Sequence, residues 1–222
     1  MGYFWEGIPP YLLPAAARAL GPGATAVETG TFRGDSALRF ADIFGSCTTI
    51  ERSVALGERA RNRFATDARI TLLIGNSREL LPIALPKAEQ PCFIWLDAHG
   101  VYDCTSADSE ENPLLAELDS VTQDRQPRNT IIAIDDARGM GTQPGWPSVG
   151  SICEQLVARG YDIIFLDDIL LAYDPAVSLD SYSLYRSGRQ TEIPMLFHIW
   201  PNVRRLTRGR RMLDSVVSKI RR

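Results

Sequence analysis

Residues 161–173 of this 222-residue chain have the sequence YDIIFLDDILLAY. Two β-rich runs, 161–166 and 169–173, are separated only by Asp167 and Asp168. Two residues can close an antiparallel hairpin, but they are too few for a crossover between parallel strands. We therefore predict that the sheet of this protein ends in an antiparallel hairpin, with the aspartate pair as its turn.

Upstream of the hairpin, short β-rich runs alternate with helical patterns, as is typical of βαβ units and a parallel sheet. The runs are 24–28, 47–51, 70–74, 92–96 and 130–134, and the helices are expected at 11–20, 36–44, 54–65, 77–81, 112–122 and 148–159. The predicted fold class is α/β and doubly wound. Its seven-stranded mixed sheet has five parallel strands plus the terminal antiparallel hairpin, with helices on both faces. Residues 1–23 form an N-terminal helical segment or lid, 24–174 a Rossmann-like domain, and 175–222 a C-terminal extension.

Composition indicates an ordinary globular protein, because 45% of the residues are hydrophobic and 23% are charged. No apolar run is long enough to span a bilayer, and the first residues do not resemble a signal peptide. Four cysteines are scattered without a CxxC pair or zinc-ligand spacing. We expect reduced thiols in a cytoplasmic protein.

The net charge of −3 hides an asymmetry, since residues 203–222 contain seven Arg and one Lys against one Asp. This basic tail suits weak contact with an anionic surface, and a solvated terminal helix is the alternative. Outside the tail no aromatic-plus-basic ladder points to a nucleic acid, so no nucleic-acid partner is expected. A homo-oligomer remains open.

A glycine turn follows the first strand, in the segment VETGTFRGDS at 27–36. Gly30 and Gly34 allow the backbone to turn tightly and to approach a ligand. The spacing lacks the complete GxGxxG of a dinucleotide site. Glu28 would repel a pyrophosphate, but it would suit a ligand that has an ammonium and a sulfonium. A purely structural turn is the alternative.

The next two strands also end in polar residues. Glu51, with Arg52 beside it, follows Gly30 by 21 positions, where an acid can accept the hydroxyls of a ribose. Asn76 and Ser77 follow the third strand, and their short polar groups suit an adenine edge. Ser77 as a helix N-cap is the alternative, and the two roles are compatible.

Three aspartates end the fourth and fifth strands: Asp97, Asp135 and Asp136. Neighbouring carboxylates repel each other, so either their pKa values rise or a cation binds among them. Oxygen ligands favour Mg²⁺, with Ca²⁺ or Mn²⁺ as alternatives. A further alternative is that Asp136 caps the following turn, which leaves Asp135 as the functional acid.

Together these segments resemble the class I S-adenosylmethionine-dependent methyltransferases, and most closely the metal-dependent O-methyltransferases of the catechol type. The likeness extends over 24–174. It implies that S-adenosylmethionine is the cofactor and that Asp97, Asp135 and Asp136 bind a divalent metal. The residues implied to bind the cofactor are Glu28, Gly30, Thr31, Phe32, Gly34, Ser36, Glu51, Arg52, Asn76, Ser77 and Asp97.

One departure from the resemblance concerns the general base. Catechol-type enzymes have a lysine shortly after the metal aspartate, whereas this chain has only Lys87 and Lys219. We expect His99, two residues after Asp97, to take this catalytic role, because its ordinary pKa near 6.5 suits proton abstraction. Alternatively, His99 stacks on the adenine or orders the loop. The loop 102–106 is expected to border the acceptor pocket.

The sequence thus predicts metal-assisted O-methylation of a small-molecule acceptor, with a sugar or natural-product hydroxyl as the leading choice. Three alternatives remain at this point. The first is a nicotinamide-dependent oxidoreductase. The second is a non-catalytic scaffold that keeps the cofactor pocket. The third is an enzyme of the same fold with other chemistry, such as hydroxylation or cyclisation.

Overall fold

A computed structural model describes residues 8–9, 11–99, 112–177 and 179, and seven strands and six α-helices follow one another within these residues. The helices are α1 Leu12–Leu20, α2 Asp35–Phe44, α3 Val54–Phe64, α4 Ser77–Ala84, α5 Leu114–Asp124 and α6 Val149–Ala158. The strands are β1 Thr25–Thr29, β2 Cys47–Glu51, β3 Ile70–Ile74, β4 Cys92–Leu96, β5 Thr130–Ile134, β6 Asp162–Leu166 and β7 Ile169–Tyr173.

The strands form one seven-stranded sheet in the order β3-β2-β1-β4-β5-β7-β6. β1 to β5 are parallel, and β7 pairs antiparallel with both β5 and β6. The predicted mixed sheet and its terminal hairpin are therefore confirmed. Asp167 has φ 54° in the turn between β6 and β7, a left-handed conformation that Asp tolerates better than most side chains.

Element boundaries differ from the sequence prediction mainly at helix ends. α4 continues to Ala84 through Pro82, and its last turn is closed by the Leu85 amide, which donates to the Leu81 carbonyl at 3.0 Å. α5 begins at Leu114, two residues later than predicted, and Pro113 is its N-cap. The Asn112 side chain, just before the cap, accepts from the Leu114 amide at 2.9 Å.

Two hydrophobic cores cover the two faces of the sheet. In β4 all five residues are buried, and their side chains alternate between the cores. Phe93 and Trp95 pack with α1 and α2, where Phe40 lies 5.5 Å from the ring of Phe93. Ile94 and Leu96 pack with α4, α5 and α6 on the other face. Burial on both faces explains why β4 is apolar throughout.

The described part of the N-terminal segment packs against the first core. Leu12, Leu13 and Ala16 of α1 are buried there. The Tyr11 hydroxyl donates to the Asp167 carboxylate at 2.7 Å, and Arg39 donates to the Ile8 carbonyl at 2.9 Å. α1 is thereby attached both to α2 and to the turn of the hairpin.

Three of the four cysteines fall within the described ranges, and Cys47, Cys92 and Cys153 are all buried free thiols. No helix in these ranges combines the length and apolarity needed to cross a membrane.

Arg125 ties together the edge of the sheet opposite to the carboxyl ends of the parallel strands. Its side chain is buried, and its guanidinium donates to the hydroxyl of Thr130 at 2.9 Å. It also donates to the backbone carbonyls of Pro86, Lys87, Gln90 and Asn129. Arg125 thus provides hydrogen-bond donors both for backbone carbonyls in the loop before β4 and for residues at the start of β5.

Replacing Arg125 by Ala is expected to lower the free energy of unfolding by about 3–5 kcal/mol, because it removes a buried side chain together with its five hydrogen bonds. Urea unfolding of the purified variant measures this loss. Arg128→Ala, a change in the same segment without this network, is the control. Equal stability of the Arg125 variant and the native protein would contradict the assigned role.

Candidate active site at the carboxyl rim

Five acidic side chains meet where β1, β2, β4 and β5 end, because these strands are parallel and their carboxyl ends lie on one edge of the sheet. We call this set the carboxyl rim, and it consists of Glu28, Glu51, Asp97, Asp135 and Asp136. Open α/β sheets bind ligands at this edge. The polar residues that the sequence analysis took from four separate segments are therefore neighbours at one edge.

The glycine turn after β1 passes directly against the end of β4. Gly30 has φ 88°, and a Cβ added there would lie 2.5 Å from the carbonyl oxygen of Asp97. The Asp97 amide in turn donates to the Thr29 carbonyl at 3.1 Å. Only glycine combines this φ with so close an approach. Gly34, at φ 79°, then begins α2.

Glu28 is completely buried at the centre of the rim. Its carboxylate accepts hydrogen bonds from the hydroxyls of Ser36 and of Thr49, the latter at 2.6 Å. Thr31 continues this chain through a hydroxyl contact with Thr49 at 2.6 Å. Burial raises the pKa of Glu28 to about 7, while the two hydroxyls oppose the shift. The acid is thus held in place, and its charge is the costly state.

Glu51 joins the glycine turn to the start of α3. One of its carboxylate oxygens accepts from the Phe32 amide and the other from the Ser53 amide, both at 2.8 Å. Phe32 has φ 48° and is 50% exposed, with the Arg33 guanidinium 5.2 Å from its ring. Arg52 is exposed next to Glu51. A carboxylate with two amide donors is fixed in orientation and keeps further lone pairs for a ligand.

A two-residue turn joins the third strand to α4, and the residue that caps α4 is not the one considered in the sequence analysis. The side chain of Asn76 accepts from the Arg78 amide at 3.0 Å and is the N-cap. Ser77 is the first helical residue and is buried. The alternative in which Ser77 caps the helix is therefore wrong, because Asn76 already occupies the extended conformation that a cap requires.

Burial and neighbouring carboxylates raise the pKa values of Asp97 and Asp135, which follow β4 and β5. Burial raises the pKa of Asp97 well above its ordinary value, and the charges of Asp135, Asp136 and Glu28 add to this. Burial and Asp136 raise the pKa of Asp135 to about 6, against the backbone amide of Asp136 and the charge of Arg138. The repulsion expected from the sequence is therefore present, and a bound cation would relieve it.

The turn after β5 holds Asp136 in an unusual conformation. Asp136 has φ 53°, and its amide donates to the Asp135 carboxylate at 2.8 Å. Its own carboxylate pairs with Arg138 at 2.6 Å. Left-handed backbone at a non-glycine residue is strained and is found most often at functional sites.

Asp168 takes part in the site, although the sequence analysis assigned it only to a hairpin turn. Its carboxylate accepts from the Arg138 amide at 2.8 Å and pairs with the Arg138 guanidinium. Its carbonyl accepts from the Ala137 amide at 2.8 Å. Of the two aspartates in the hairpin turn, it is Asp167 that has the left-handed conformation. Because β7 lies beside β5, the hairpin turn meets the loop after β5 and holds it in place.

His99 is 94% buried beside this turn. Its Nε2 lies 3.0 Å from the backbone carbonyl of Asp135, and because a carbonyl can only accept, Nε2 bears the proton. Nδ1 is buried and has no hydrogen-bond partner among the residues that the structure describes. The ring packs edge-on against Trp146, 4.7 Å between centroids. Burial lowers the pKa of His99 and so favours the neutral ring.

Two groups of side chains bring one ligand atom each to within 4.8 Å of one another. The first consists of Asp97, His99 and Asp136, and the second of Asp135, Asp136 and Asp168. Asp136 belongs to both. The predicted metal residues are thus distributed over the two groups, with an imidazole and a fourth carboxylate in addition.

Two further residues of the site were not found by sequence reasoning. Thr49 is the cross-strand partner of Glu28, so the β1–β2 register, once known, places its hydroxyl at that acid. Glu117 is completely buried in α5, and burial raises its pKa to about 7, opposed by the nearby polar groups of Ser77, Thr29 and Arg78. Its position three residues after Leu114, on the apolar face of the helix, is the pattern that could have revealed it.

Some expectations lie outside the described residues. These are the loop at 102–106, which was expected to border the acceptor pocket, and the basic tail at 203–222.

Solved methyltransferase structures have the same fold as this chain. One is a methyltransferase from Podospora anserina bound to SAH, with TM-score 0.52 and 16% identity over 73% of this chain and 76% of that chain. Another is a Staphylococcus aureus protein proposed to be a caffeoyl-CoA O-methyltransferase, with TM-score 0.52 and 20% identity over 72% and 79% of the two chains. A cofactor-bound protein from MTB matches with TM-score 0.51 and 18% identity over 73% and 76%.

No family model matches the sequence, and neither does any curated protein. At these identities the likeness establishes the fold. The chain has the α/β fold of the class I methyltransferases, with the strand order and antiparallel hairpin described above.

The buried carboxyl of Glu28 makes stability depend on pH with a definite sign. In the unfolded chain the group loses its proton near pH 4.5, whereas in the folded chain it does so at about 7. Stability from this group is therefore complete below pH 4.5, falls as the pH rises, and is lost above 7. Glu28→Gln is expected to be more stable than the native protein at pH 8, by at most roughly 3 kcal/mol, and similar to it at pH 5.

Urea unfolding at pH 5, 6.5 and 8 measures this difference, with the exposed Glu154→Gln as the matched control. A Glu28→Gln variant whose stability relative to the native protein does not change between pH 5 and 8 would show that the acid is not held as described.

Proposed function

We propose that this protein is an S-adenosylmethionine-dependent methyltransferase that methylates a hydroxyl of a small molecule with the help of a divalent cation. The observation that supports this most is the placement of the two acids Glu28 and Glu51 on either side of the Gly30 turn, where the backbone meets the end of β4. The shared fold with a methyltransferase bound to SAH agrees with it.

The residues that would hold the cofactor are those of the glycine turn and the adjoining strand ends. Glu28 provides negative charge for the cationic amino-acid end, and Glu51, fixed by two amides, provides acceptors for the ribose hydroxyls. Asn76, Ser77 and the buried Glu117 lie where the adenine side would bind. When bound, S-adenosylmethionine supplies a methyl group on a positively charged sulfur.

The residues that would hold the cation are Asp97, Asp135 and Asp136, whose mutual repulsion it would relieve. His99 brings one ring nitrogen to the cluster with Asp97 and Asp136, and its Nδ1, which has no hydrogen-bond partner among the described residues, could serve as a ligand. A divalent ion bound at this point lowers the pKa of an acceptor hydroxyl.

The chain itself positions the reacting groups. In the overall transfer the bond from the methyl carbon to sulfur breaks as its bond to the acceptor oxygen forms, the electron pair stays on sulfur, and the hydroxyl proton leaves. Nδ1 of His99 and solvent water are the two candidate proton acceptors, since Nε2 already donates to Asp135. Trp146 packs against His99 and shields one side of the ring from water.

A nicotinamide oxidoreductase is disfavoured by two observations. The glycine turn lacks the dinucleotide spacing, and Glu28 lies buried at the strand tip where a pyrophosphate would add negative charge. A scaffold that binds cofactor without transfer is separated from an enzyme by measured turnover. We further propose a sugar or natural-product hydroxyl as acceptor and a cytoplasmic location. Contact with an anionic surface through the tail, and a homo-oligomer, stay predictions.

Glu51→Gln is expected to weaken S-adenosylmethionine binding about 10–100-fold, because it removes the charge that would orient the ribose and places an NH2 donor against one of the two backbone N–H donors. Isothermal titration calorimetry measures the affinity, with NADH titrated in parallel. Glu58→Gln, on the exposed face of α3, is the control. Tight binding of NADH with no heat from S-adenosylmethionine would overturn the proposed function.

Removal of the cation is expected to stop transfer without releasing cofactor. Asp136→Asn, or excess EDTA on the native protein, should lower turnover of an active acceptor at least about a hundredfold. Turnover is followed by transfer of a labelled methyl group to a panel of catechols, sugars and phenolic compounds, and the exposed Asp119→Asn is the control. Full activity in EDTA would remove the metal from the proposal but leave the methyltransferase.

A further inference from the structure

We infer that His99 is a metal ligand through Nδ1, and that the cluster of Asp97, His99 and Asp136 selects a first-row transition ion such as Mn²⁺, Fe²⁺, Co²⁺ or Zn²⁺ over Mg²⁺. This inference deepens the proposed function, on which it rests, by assigning the class of ion and a different role to His99. It replaces the all-oxygen site and the general-base role that the sequence suggested.

The possible ligand atoms of this cluster lie close together. One nitrogen of His99 and one carboxylate oxygen each from Asp97 and Asp136 lie within 4.8 Å of one another. Bonds of about 2.0–2.2 Å to one ion hold ligand atoms at most about 4.4 Å apart, so small rotations of these three side chains would bring them to one ion. The three residues come from the ends of two adjacent strands, β4 and β5.

The hydrogen bond of the imidazole places the ring proton on Nε2. Nε2 donates to the carbonyl of Asp135 at 3.0 Å, which leaves the lone pair on Nδ1. Nδ1 is buried and has no partner in the described ranges 8–9, 11–99, 112–177 and 179, and a buried nitrogen acceptor without a partner is costly. Metal-binding histidines almost always donate their other ring N–H to a carboxylate, a carbonyl or water. His99 has this arrangement before any ion is bound.

The ring of His99 is held in position by its neighbours. Trp146 packs edge-on against it at 4.7 Å, and the turn that bears the Asp135 carbonyl is fixed by Arg138 and Asp168. A ligand needs a fixed orientation of this kind. A set of two carboxylates and one imidazole is softer than an all-oxygen set, and imidazole suits the later transition ions.

The test uses the full chain after dialysis against EDTA, titrated with Co²⁺ and with Mg²⁺ in a calorimeter, and with Co²⁺ in a visible-absorption spectrometer. The native protein should bind Co²⁺ at least about tenfold more tightly than Mg²⁺. His99→Gln should lose about tenfold or more of the Co²⁺ affinity, with a changed Co²⁺ spectrum, while its Mg²⁺ affinity changes by less than about threefold.

Two comparison variants locate the ion. Asp97→Asn should weaken both Co²⁺ and Mg²⁺, and the exposed Asp119→Asn should weaken neither. If His99→Gln binds Co²⁺ as tightly as the native protein but loses methyl transfer, His99 is the base and the inference is wrong. Equal affinity of the native protein for Mg²⁺ and Co²⁺ would also overturn it.

A measurement on the native protein avoids dependence on whether a variant folds. Long-range ¹H–¹⁵N spectra resolve the ring nitrogens of the two histidines in the chain. Adding Zn²⁺ should shift the Nδ1 resonance of a histidine that has its proton on Nε2. Unshifted ring nitrogens would contradict the inference. S-adenosylmethionine binding, measured separately, shows whether the proposed function survives that result.

Discussion

The contact between Gly30 and the backbone of Asp97 is the constraint on which the rest of the site depends. Because no side chain separates them, the turn after β1 lies against the end of β4. Glu28 in β1 and Asp97 directly after β4 therefore lie close enough for the charge of Glu28 to raise the pKa of Asp97. A larger residue at this point would force the two strand ends apart and disperse the acids.

The carboxyl rim concentrates negative charge at an edge of the sheet that is largely buried. The structure limits the resulting cost in two ways. Hydroxyls of Ser36 and Thr49 hold Glu28, and backbone amides hold Glu51. What remains uncompensated is the group around Asp97, where repulsion from Asp135 and Asp136 persists. A cationic ligand bound at this edge would remove the unfavourable repulsion between these carboxylates.

The loop after β5 is supported from the other side by the hairpin. Arg138 bridges Asp136 to Asp168, and the backbone of the same loop donates to Asp168. The antiparallel hairpin therefore contributes to the site as well as completing the sheet, because its turn supports the strained Asp136 and, through the Asp135 carbonyl, the ring of His99. A displacement of the hairpin would reach His99 through these contacts.

The sequence by itself determined the strand pattern, the parallel sheet with its terminal hairpin, and the placement of Glu28, Glu51, Asp97, Asp135 and Asp136 at strand ends, because these follow from periodicity and from the residues that directly follow each strand. Only the tertiary structure decided which acids lie within reach of one another, that Asp168 reaches the loop after β5, and which nitrogen of His99 donates to the Asp135 carbonyl. These depend on strand order, cross-strand register and hydrogen bonds between residues far apart in the chain, and local sequence contains no record of such distances.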